Sequence, residues 1–109
     1  MKPHDLITII NQIPLGFVCS YGQIAEQMDK RFGVVTSGWM VGRMMNTMGK
    51  RGDKDIHACP WRRVVNKQGY ISLLKLGEPW LIQINHLKWE WVIIVNGEIN
   101  MKRYWFRFS

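Results

Sequence analysis

Apolar residues with helical spacing dominate the first half of the chain. The first group occupies positions i, i+3, i+4 and i+7, and consists of Leu6, Ile9, Ile10 and Ile13. Residues with that spacing share one helix face, which predicts an amphipathic helix with Asp5 placed to cap its start. Pro14 and Gly16 follow this group, and we expect them to end the helix.

A second helix is indicated by a local signal at its start. Ser20 and Gln23 have the spacing of a capping box, in which the serine hydroxyl and the glutamine side chain satisfy free amide groups. Its buried side is predicted to consist of Ile24, Ala25 and Met28. The segment from Asp29 to Thr36 is predicted to be an ordered loop.

A third helix is predicted to begin near Ser37, and its two faces differ in chemistry. At 100° per residue, an arc of about 140° holds the apolar residues Met40, Val41, Met44, Met45 and Met48. An arc of about 60° on the opposite side holds Trp39, Arg43, Asn46 and Lys50. The first face is predicted to be core. The second is either a solvated face or a surface that reads DNA, since a helix pair followed by a basic outer stripe suggests a helix-turn-helix.

Strand-like patterns replace the helical ones after a charged loop at residues 50–55. The segments Trp61–Val65 and Tyr70–Leu74 flank a turn at Asn66–Gly69, and together they predict a hairpin or wing. Pro79 can occupy the first turn of a further helix that runs to about Trp89. The buried side of that helix is predicted to consist of Trp80, Ile84 and Leu87.

A second hairpin and a basic, aromatic tail are predicted at the end of the sequence. Val92–Val95 and Glu98–Met101 flank Asn96-Gly97, which is the strongest hairpin signal in the chain. The tail Lys102–Phe108 alternates basic and aromatic residues. We expect it to pack back onto the fold as an edge strand with some charges facing outward. The other interpretation places its cations and rings beside a phosphate backbone.

These elements indicate a small, mostly helical α+β domain with a helix-turn-helix and a short β wing, similar to winged-helix proteins. A chain of 109 residues has room for one domain, spanning residues 1–109. The formal net charge is +7, and 8 of the 15 basic residues but only 3 of the 8 acidic ones lie between positions 61 and 109. This charge favours an anionic partner such as nucleic acid, although a surface kept soluble by like charge explains it equally well.

Several classes of protein are disfavoured by the sequence. No apolar run approaches the ~20 residues of a membrane span, and the first residues lack the pattern of a secretory signal. Cys19 and Cys59 are too few for a disulfide scaffold and too isolated for a zinc site, so we expect reduced thiols in the cytoplasm, at the nucleoid if the source is bacterial. The histidines have no ligand-like spacing and no glycine-rich phosphate loop is present, so we expect neither a metal nor another cofactor.

Four ordered motifs carry a family resemblance: IPLGFV at 13–18, SYGQIA at 20–25, VGRMM at 41–45 and PWRRVV at 60–65. Together they resemble the DNA-binding domain of the alkylguanine-DNA alkyltransferases. More closely, they are similar to the alkyltransferase-like proteins, in which tryptophan replaces the reactive cysteine. The resemblance extends from about Ile13 to Ser72 and returns at Val92 to Tyr104.

The resemblance implies recognition of damaged guanine without alkyl transfer. In the alkyltransferases, a cysteine thiolate formed with the help of a neighbouring histidine accepts the alkyl group from O6 of guanine. Here Trp61 stands at the cysteine position, and an indole cannot accept the group. Arg62 stands at the histidine position, where a side chain that stays protonated cannot act as a base. The resemblance therefore implies no catalytic residue.

The resemblance also implies how damaged DNA is held. The helix-turn-helix lies in the minor groove, and Tyr21 pushes the 3′ phosphate so that the damaged nucleotide rotates out of the stack. Trp39 replaces the arginine that the family inserts into the gap, and can fill it by stacking, which is worth roughly 1–3 kcal/mol per base. The implied DNA-binding residues are Ser20, Tyr21, Gly22, Trp39, Gly42, Arg43 and Arg63. The implied lesion pocket consists of Tyr21, Pro60, Trp61, Arg62, Val64 and Ser72, with core packing as the alternative for Val64.

The implied partners are duplex DNA containing O6-alkylguanine and the proteins of nucleotide excision repair, and we expect a monomer that does not bind membranes. Two alternatives remain open. One is a suicide alkyltransferase that uses Cys59, although in an extended segment its sulfur lies roughly 6–7 Å from the attack position and a buried structural thiol is the competing interpretation. The other is a general winged-helix DNA-binding protein without lesion specificity.

Overall fold

The computed structural model describes residues 2–69, 78–95 and 98–108. Its helices are α1 (Pro3–Ile10), α2 (Tyr21–Phe32), α3 (Gly38–Lys50), α4 (Lys54–Ala58), α5 (Glu78–Trp89) and α6 (Met101–Tyr104), and a 3-10 turn covers Trp61–Arg63. The strands are β1 (Cys19–Ser20), β2 (Val64–Val65), β3 (Ile94–Val95) and β4 (Glu98–Ile99). Strand β1 pairs in parallel with β2, and β3 pairs antiparallel with β4. The predicted α+β fold with a helix-turn-helix, formed by α2 and α3, is confirmed.

Helix α1 begins with a proline rather than with a side-chain cap. Pro3 lies in its first turn, where the missing amide proton has no helical partner to lose. Asp5 lies inside that turn and Lys2 precedes it without a side-chain hydrogen bond, so the prediction that Asp5 caps the helix is wrong. The predicted apolar face is confirmed, since Leu6, Ile9, Ile10 and Ile13 are at most 1% exposed.

The predicted capping box at the start of α2 is confirmed. The Gln23 amide donates to the Ser20 hydroxyl at 3.2 Å, and the Ser20 amide donates to Gln23 Oε1 at 2.9 Å. The helix is longer than predicted, because it continues to Phe32 and ends at Gly33 with a left-handed φ of 65°. The first four residues of the predicted loop, 29–32, are therefore helical, and the turn between α2 and α3 is reduced to residues 33–37.

Helix α3 begins where the sequence predicts, with the Ser37 hydroxyl accepting from the Met40 amide. On its apolar face Val41 and Met48 are buried, and Met44 and Met45 pack against the core from half-buried positions. Met40 is 40% exposed, so its assignment to the core is wrong. It lies in the first turn of α3, before the buried Val41 and Met48.

The segment after α3 differs most from the prediction. The charged loop contains the short helix α4, whose start is capped by the Asp53 carboxylate. Trp61–Arg63 form a 3-10 turn instead of the first part of a wing strand, and Val64–Val65 pair with β1. The predicted turn at 66–69 is present and closes through the Gly69 amide on the Asn66 carbonyl. The predicted partner strand, Tyr70–Leu74, lies outside the described residues.

In the last third of the chain the predicted helix and hairpin are present, whereas the tail differs from the prediction. Helix α5 ends at Trp89 as expected and buries Leu87, with Ile84 half-buried, while the side chain of Trp80 lies outside the described set. Strands β3 and β4 form the expected hairpin, whose turn residues, Asn96 and Gly97, are not described. The tail is not the predicted edge strand, because residues 102–104 belong to helix α6 and the segment after it packs back through a parallel bridge between Val18 and Trp105.

Buried side chains form two clusters on opposite sides of the β1–β2 pair. Cys19 and Val64 belong to the cluster that α1, α2 and α3 cover, whereas Val18 and Val65 belong to the cluster beneath α5 and the C-terminal hairpin. Successive residues of a strand point to opposite faces, so two very short strands are enough to separate the clusters. The turn that carries Trp61 immediately precedes this central pair.

Candidate functional site

The first turns of α2 and α3 lie in close contact, and two glycines permit it. A Cβ atom at Gly38 would lie 3.0 Å from the amide nitrogen of Gly22, so a side chain there would press on the backbone of α2. A Cβ at Gly42 would lie 3.6 Å from two ring atoms of Tyr21. The half-buried Tyr21 ring therefore lies against the backbone of α3 at the junction of the helix-turn-helix.

The outer face of α3 is exposed, basic and aromatic, as predicted. Trp39 is 69% exposed, and the Arg43 guanidinium lies 5.3 Å from the centre of its indole. Such a cation–π contact is worth roughly 0.5–1 kcal/mol at an exposed site and holds both side chains on the same side of the helix. Asn46 and Lys50 continue the exposed face along α3. This surface can present a flat ring and a positive charge together.

Both thiols are buried and poorly suited to nucleophilic chemistry. Cys59 is 1% exposed and donates to the Ile56 carbonyl at 3.2 Å. Burial raises the pKa of the Cys59 thiol to about 11, outweighing the backbone hydrogen bonds and the Arg62 charge that lower it. Burial likewise raises the pKa of Cys19 to about 12. Since the thiolate is the nucleophile, neither group is activated at neutral pH.

Trp61 lies at the start of the 3-10 turn, directly after Pro60. Its amide donates to the Cys59 carbonyl at 2.8 Å, which closes a tight bend around the proline. The indole is half-buried and packs against the same core cluster as Tyr21. Pro60 is also half-buried, whereas Val64 is 1% exposed and belongs to the core.

A buried carboxylate on the far side of the turn holds its two arginines. Glu90 is 5% exposed, and it accepts from Arg63 Nε at 2.7 Å and from Arg62 Nε at 3.2 Å. Arg63 also donates to the Ile13 carbonyl at 2.8 Å. Burial opposes ionisation of Glu90, but the hydrogen bonds and charges of Arg63 and Arg62 prevail and lower the pKa of the carboxyl. These contacts therefore join three parts of the chain: the residue after α5, the Trp61 turn and the segment after α1.

Gln83 lies on α5, one helical turn before the buried Leu87. Its side chain binds the backbone of the segment that begins at Trp61. Its Nε2 donates to the Arg62 carbonyl at 3.0 Å and to the Val64 carbonyl at 3.2 Å. The side chain is 2% exposed, so these contacts are made in the interior. Gln83 on α5 and Glu90, directly after that helix, thus hold three successive residues, Arg62, Arg63 and Val64, in place.

The structure separates the sequence-predicted site residues. Tyr21, Gly22 and Gly42 meet at the helix-turn-helix junction, beside Gly38, which the sequence analysis did not single out. Trp39 and Arg43 lie exposed on α3. Ser20 is 6% exposed and uses its hydroxyl to cap α2, while Arg63 is directed to Glu90 and Ile13. Ser72 lies outside the described residues.

Sequence reasoning missed Glu90 and Gln83. The distances along the chain are large, 27 residues from Arg63 to Glu90 and 19 from Val64 to Gln83, and no local pattern links them. The available signal was the scarcity of acids in the second half of the chain beside two adjacent arginines. A buried pair of like charges needs a counter-charge, so one of the few carboxylates had to serve.

Within the described part of the chain, no three His, Cys, Asp or Glu residues are grouped so that they could hold a metal ion. Among the helices described, none is both long and apolar enough to cross a membrane.

Comparison with known proteins identifies relatives of this arrangement. The family described as "6-O-methylguanine DNA methyltransferase, DNA binding domain" matches residues 3–92. The crystal structure of S. pombe Atl1 in complex with damaged DNA containing O6-carboxymethylguanine is 27% identical, with a TM-score of 0.74, over 98% of this chain and 99% of that one. A structure of S. pombe ATL in complex with DNA is 25% identical with a TM-score of 0.69, over the same shares. Among curated proteins, no sequence matches significantly.

Proposed function

Since the chain belongs to the family of the DNA-binding domain of 6-O-methylguanine DNA methyltransferase, we propose that it senses O6-alkylated guanine in duplex DNA without removing the alkyl group. The observation that carries this proposal is the half-buried Trp61 in the Pro60–Val65 motif. The resemblance of this motif to the family's implies that Trp61 takes the position of the reactive cysteine. An indole there can line a pocket beside an alkyl group but offers no sulfur to receive it. The similarity to S. pombe Atl1 supports the same class of ligand.

The state of the two thiols supports binding without transfer. Cys59 is the sulfur nearest to Trp61 along the chain, but it is buried, hydrogen-bonded to a backbone carbonyl, and has a pKa of about 11. A thiol with that pKa is ionised to only about one part in ten thousand at pH 7. Arg62, at the position of the activating histidine, is bound to Glu90 and stays protonated.

The contacts at the helix-turn-helix junction support a flipping mechanism. Tyr21 lies at the first position of α2, where free backbone amides favour an anion such as phosphate. Its ring rests on Gly42, so pressure from a phosphate is transmitted to the rigid backbone of α3. Rotating a nucleotide out of the stack costs a few kcal/mol, and less for a poorly paired alkylated base. Trp39, exposed on α3 three residues before Gly42, fills the vacated space by stacking.

Recruitment of nucleotide excision repair follows as part of the same proposal. A protein that holds a lesion and cannot reverse it contributes to repair only by presenting the lesion to other enzymes. We expect the chain to act as a monomer in this role, and the repair proteins to recognise its complex with DNA.

The decisive experiment is a fluorescence anisotropy titration with two duplexes that differ only in O6-methylguanine against guanine, at matched salt. We expect tighter binding to the alkylated duplex. Equal affinity would identify a general winged-helix DNA-binding protein, because nonspecific binding is dominated by phosphate contacts.

Mass spectrometry of the protein after incubation with the same alkylated duplex tests the absence of transfer. We expect no added mass on the chain and intact O6-methylguanine in the recovered DNA. A mass increase of one methyl group on the Cys59 peptide would establish a suicide alkyltransferase instead.

A further inference from the structure

The C-terminal segment 104–108 presents alternate side chains to the interior and to solvent. Tyr104 is 7% exposed, and Phe106 and Phe108 pack against the first core cluster. Trp105 and Arg107 face outward, and the Arg107 guanidinium lies 4.6 Å from the centre of the Trp105 ring. The segment is therefore anchored on one side and displays a stacked cation and indole on the other.

Backbone pairing directs this segment towards the start of α2. The Val18 amide donates to the Tyr104 carbonyl at 2.8 Å, and the Phe106 amide donates to the Val18 carbonyl at 2.9 Å. The bridge is parallel, so the tail and the chain leading into α2 run in the same direction from this point. Two residues beyond Val18 lies Ser20, the cap of α2, and two residues beyond Trp105 lies Arg107.

Gln23 joins the tail to the helix start directly. Its Oε1 accepts from the Ser20 amide in the capping box, while its Nε2 donates to the Phe106 carbonyl at 3.0 Å. The next backbone atom after that carbonyl is the amide nitrogen of Arg107. One side chain thus fixes both the first turn of α2 and the position of Arg107, and their relative placement does not depend on a flexible linker.

We propose that Trp105 and Arg107 form a second contact with the DNA backbone, which extends the phosphate-binding surface at the start of α2. The segment from 102 to 108 carries three basic and no acidic residues, so its charge complements phosphate. An arginine stacked on an indole loses less side-chain entropy when it binds a phosphate than a freely rotating one. The contact rests on the proposed function, since it requires DNA to be bound at α2 and α3.

The test is the salt dependence of binding by Arg107→Gln, measured by anisotropy with the unmodified duplex between 50 and 200 mM salt. Loss of one phosphate contact lowers the slope of log K against log[salt] by about 0.9. The ratio of the wild-type affinity to the Arg107→Gln affinity should accordingly be about threefold smaller at 200 mM than at 50 mM salt. Arg107→Lys, which keeps the charge, should retain the wild-type slope.

Arg103→Gln is the matched control, because the Arg103 guanidinium lies 5.4 Å from the centre of the Tyr104 ring but belongs to α6, on the side of the β3–β4 hairpin. It removes one exposed arginine from an aromatic stack and should leave the slope unchanged. An unchanged slope in Arg107→Gln, or an equal reduction in both variants, would overturn the proposal. If wild type binds both duplexes equally, the lesion-sensing function fails while the slopes still decide on Arg107.

Discussion

At the scale of single residues, Glu90 shows how a buried charge is retained by the partners that surround it. The carboxylate meets two guanidinium groups in the interior, and Arg63 contributes two nitrogens to it. Removing one charged partner leaves the others buried without a counter-charge. The resulting loss of stability is larger than the net stabilisation that the complete group of ion pairs provides. The Trp61 turn is attached to α5 through this group, so its geometry depends on the ionisation of Glu90.

Glu90→Gln is expected to lower the free energy of unfolding at pH 7 by roughly 1–3 kcal/mol. Because the pKa of Glu90 is lower in the folded state than in the unfolded chain, its stabilising contribution is present above the unfolded pKa. That contribution is lost as the pH falls through the folded pKa. Urea unfolding at pH 7 and in the acid range should therefore show a difference between wild type and variant that narrows with acidification. A constant difference would contradict this account.

Trp91 is a residue whose backbone conformation does not suit its side chain. It has a φ of 68° and ends α5, while the Val92 amide donates to the Leu87 carbonyl at 3.0 Å, the contact of a Schellman motif. A left-handed conformation costs a residue other than glycine about 1–2 kcal/mol. The indole is 84% exposed, so little burial offsets that cost.

Trp91→Gly is accordingly expected to stabilise the protein by about 1 kcal/mol, with a rise in Tm of about 4–8 °C. Trp89→Gly is the control, because Trp89 is equally exposed but lies in the last turn of α5 with helical geometry. That change should destabilise by about 1 kcal/mol. Thermal unfolding followed by circular dichroism measures both, and a loss of stability in Trp91→Gly would contradict the strain argument.

At the scale of elements, the sequence predicted best where the signal is local. Ser20, Gln23 and Ser37 mark helix starts through contacts with residues only three positions away, and both starts are confirmed. The Trp61–Arg63 turn could not be predicted, because its shape depends on Gln83 in α5 and on Glu90 directly after it, and both are remote in sequence. The candidate site residues were predicted from ordered motifs, whereas the side chains that hold the Trp61–Arg63 turn were not predicted.

Substitution of two glycines in α3 distinguishes an effect on stability from an effect on DNA binding. Gly42 and Gly49 both lie inside the helix, where alanine is favoured by about 1 kcal/mol. A Cβ at Gly49 meets nothing within 4 Å, and one at Gly42 makes ordinary contact with the Tyr21 ring. Both alanine variants should therefore raise the free energy of unfolding.

Only Gly42→Ala is expected to weaken DNA binding, because a methyl group beside the Tyr21 ring occupies space that the proposed function gives to the DNA backbone. Chemical denaturation and anisotropy titration on the same protein preparations measure the two effects. Equal DNA affinity of Gly42→Ala and Gly49→Ala would remove Gly42 from the interface.

At the scale of the whole molecule, the excess positive charge is divided between interior and surface. Arg62 and Arg63 are engaged by Glu90, and Lys30 pairs with Glu26 on α2. Arg43 and Arg107 instead lie exposed against indole rings, on α3 and on the C-terminal segment. Net charge alone therefore overstates the number of cations available to DNA, and the proposed lesion selectivity is assigned to the aromatic residues at the helix junction.

Tyr21→Ala tests that separation, since it removes an aromatic ring and leaves every charge in place. We expect a larger loss of affinity for the alkylated duplex than for the unmodified one, with an unchanged salt slope for both, because the phosphate contacts that set the slope remain. Tyr21→Phe, which keeps the ring against Gly42, should preserve most of the preference. If Tyr21→Ala weakens both duplexes equally, Tyr21 serves only to pack α2 against α3, and nucleotide rotation must be assigned to another residue.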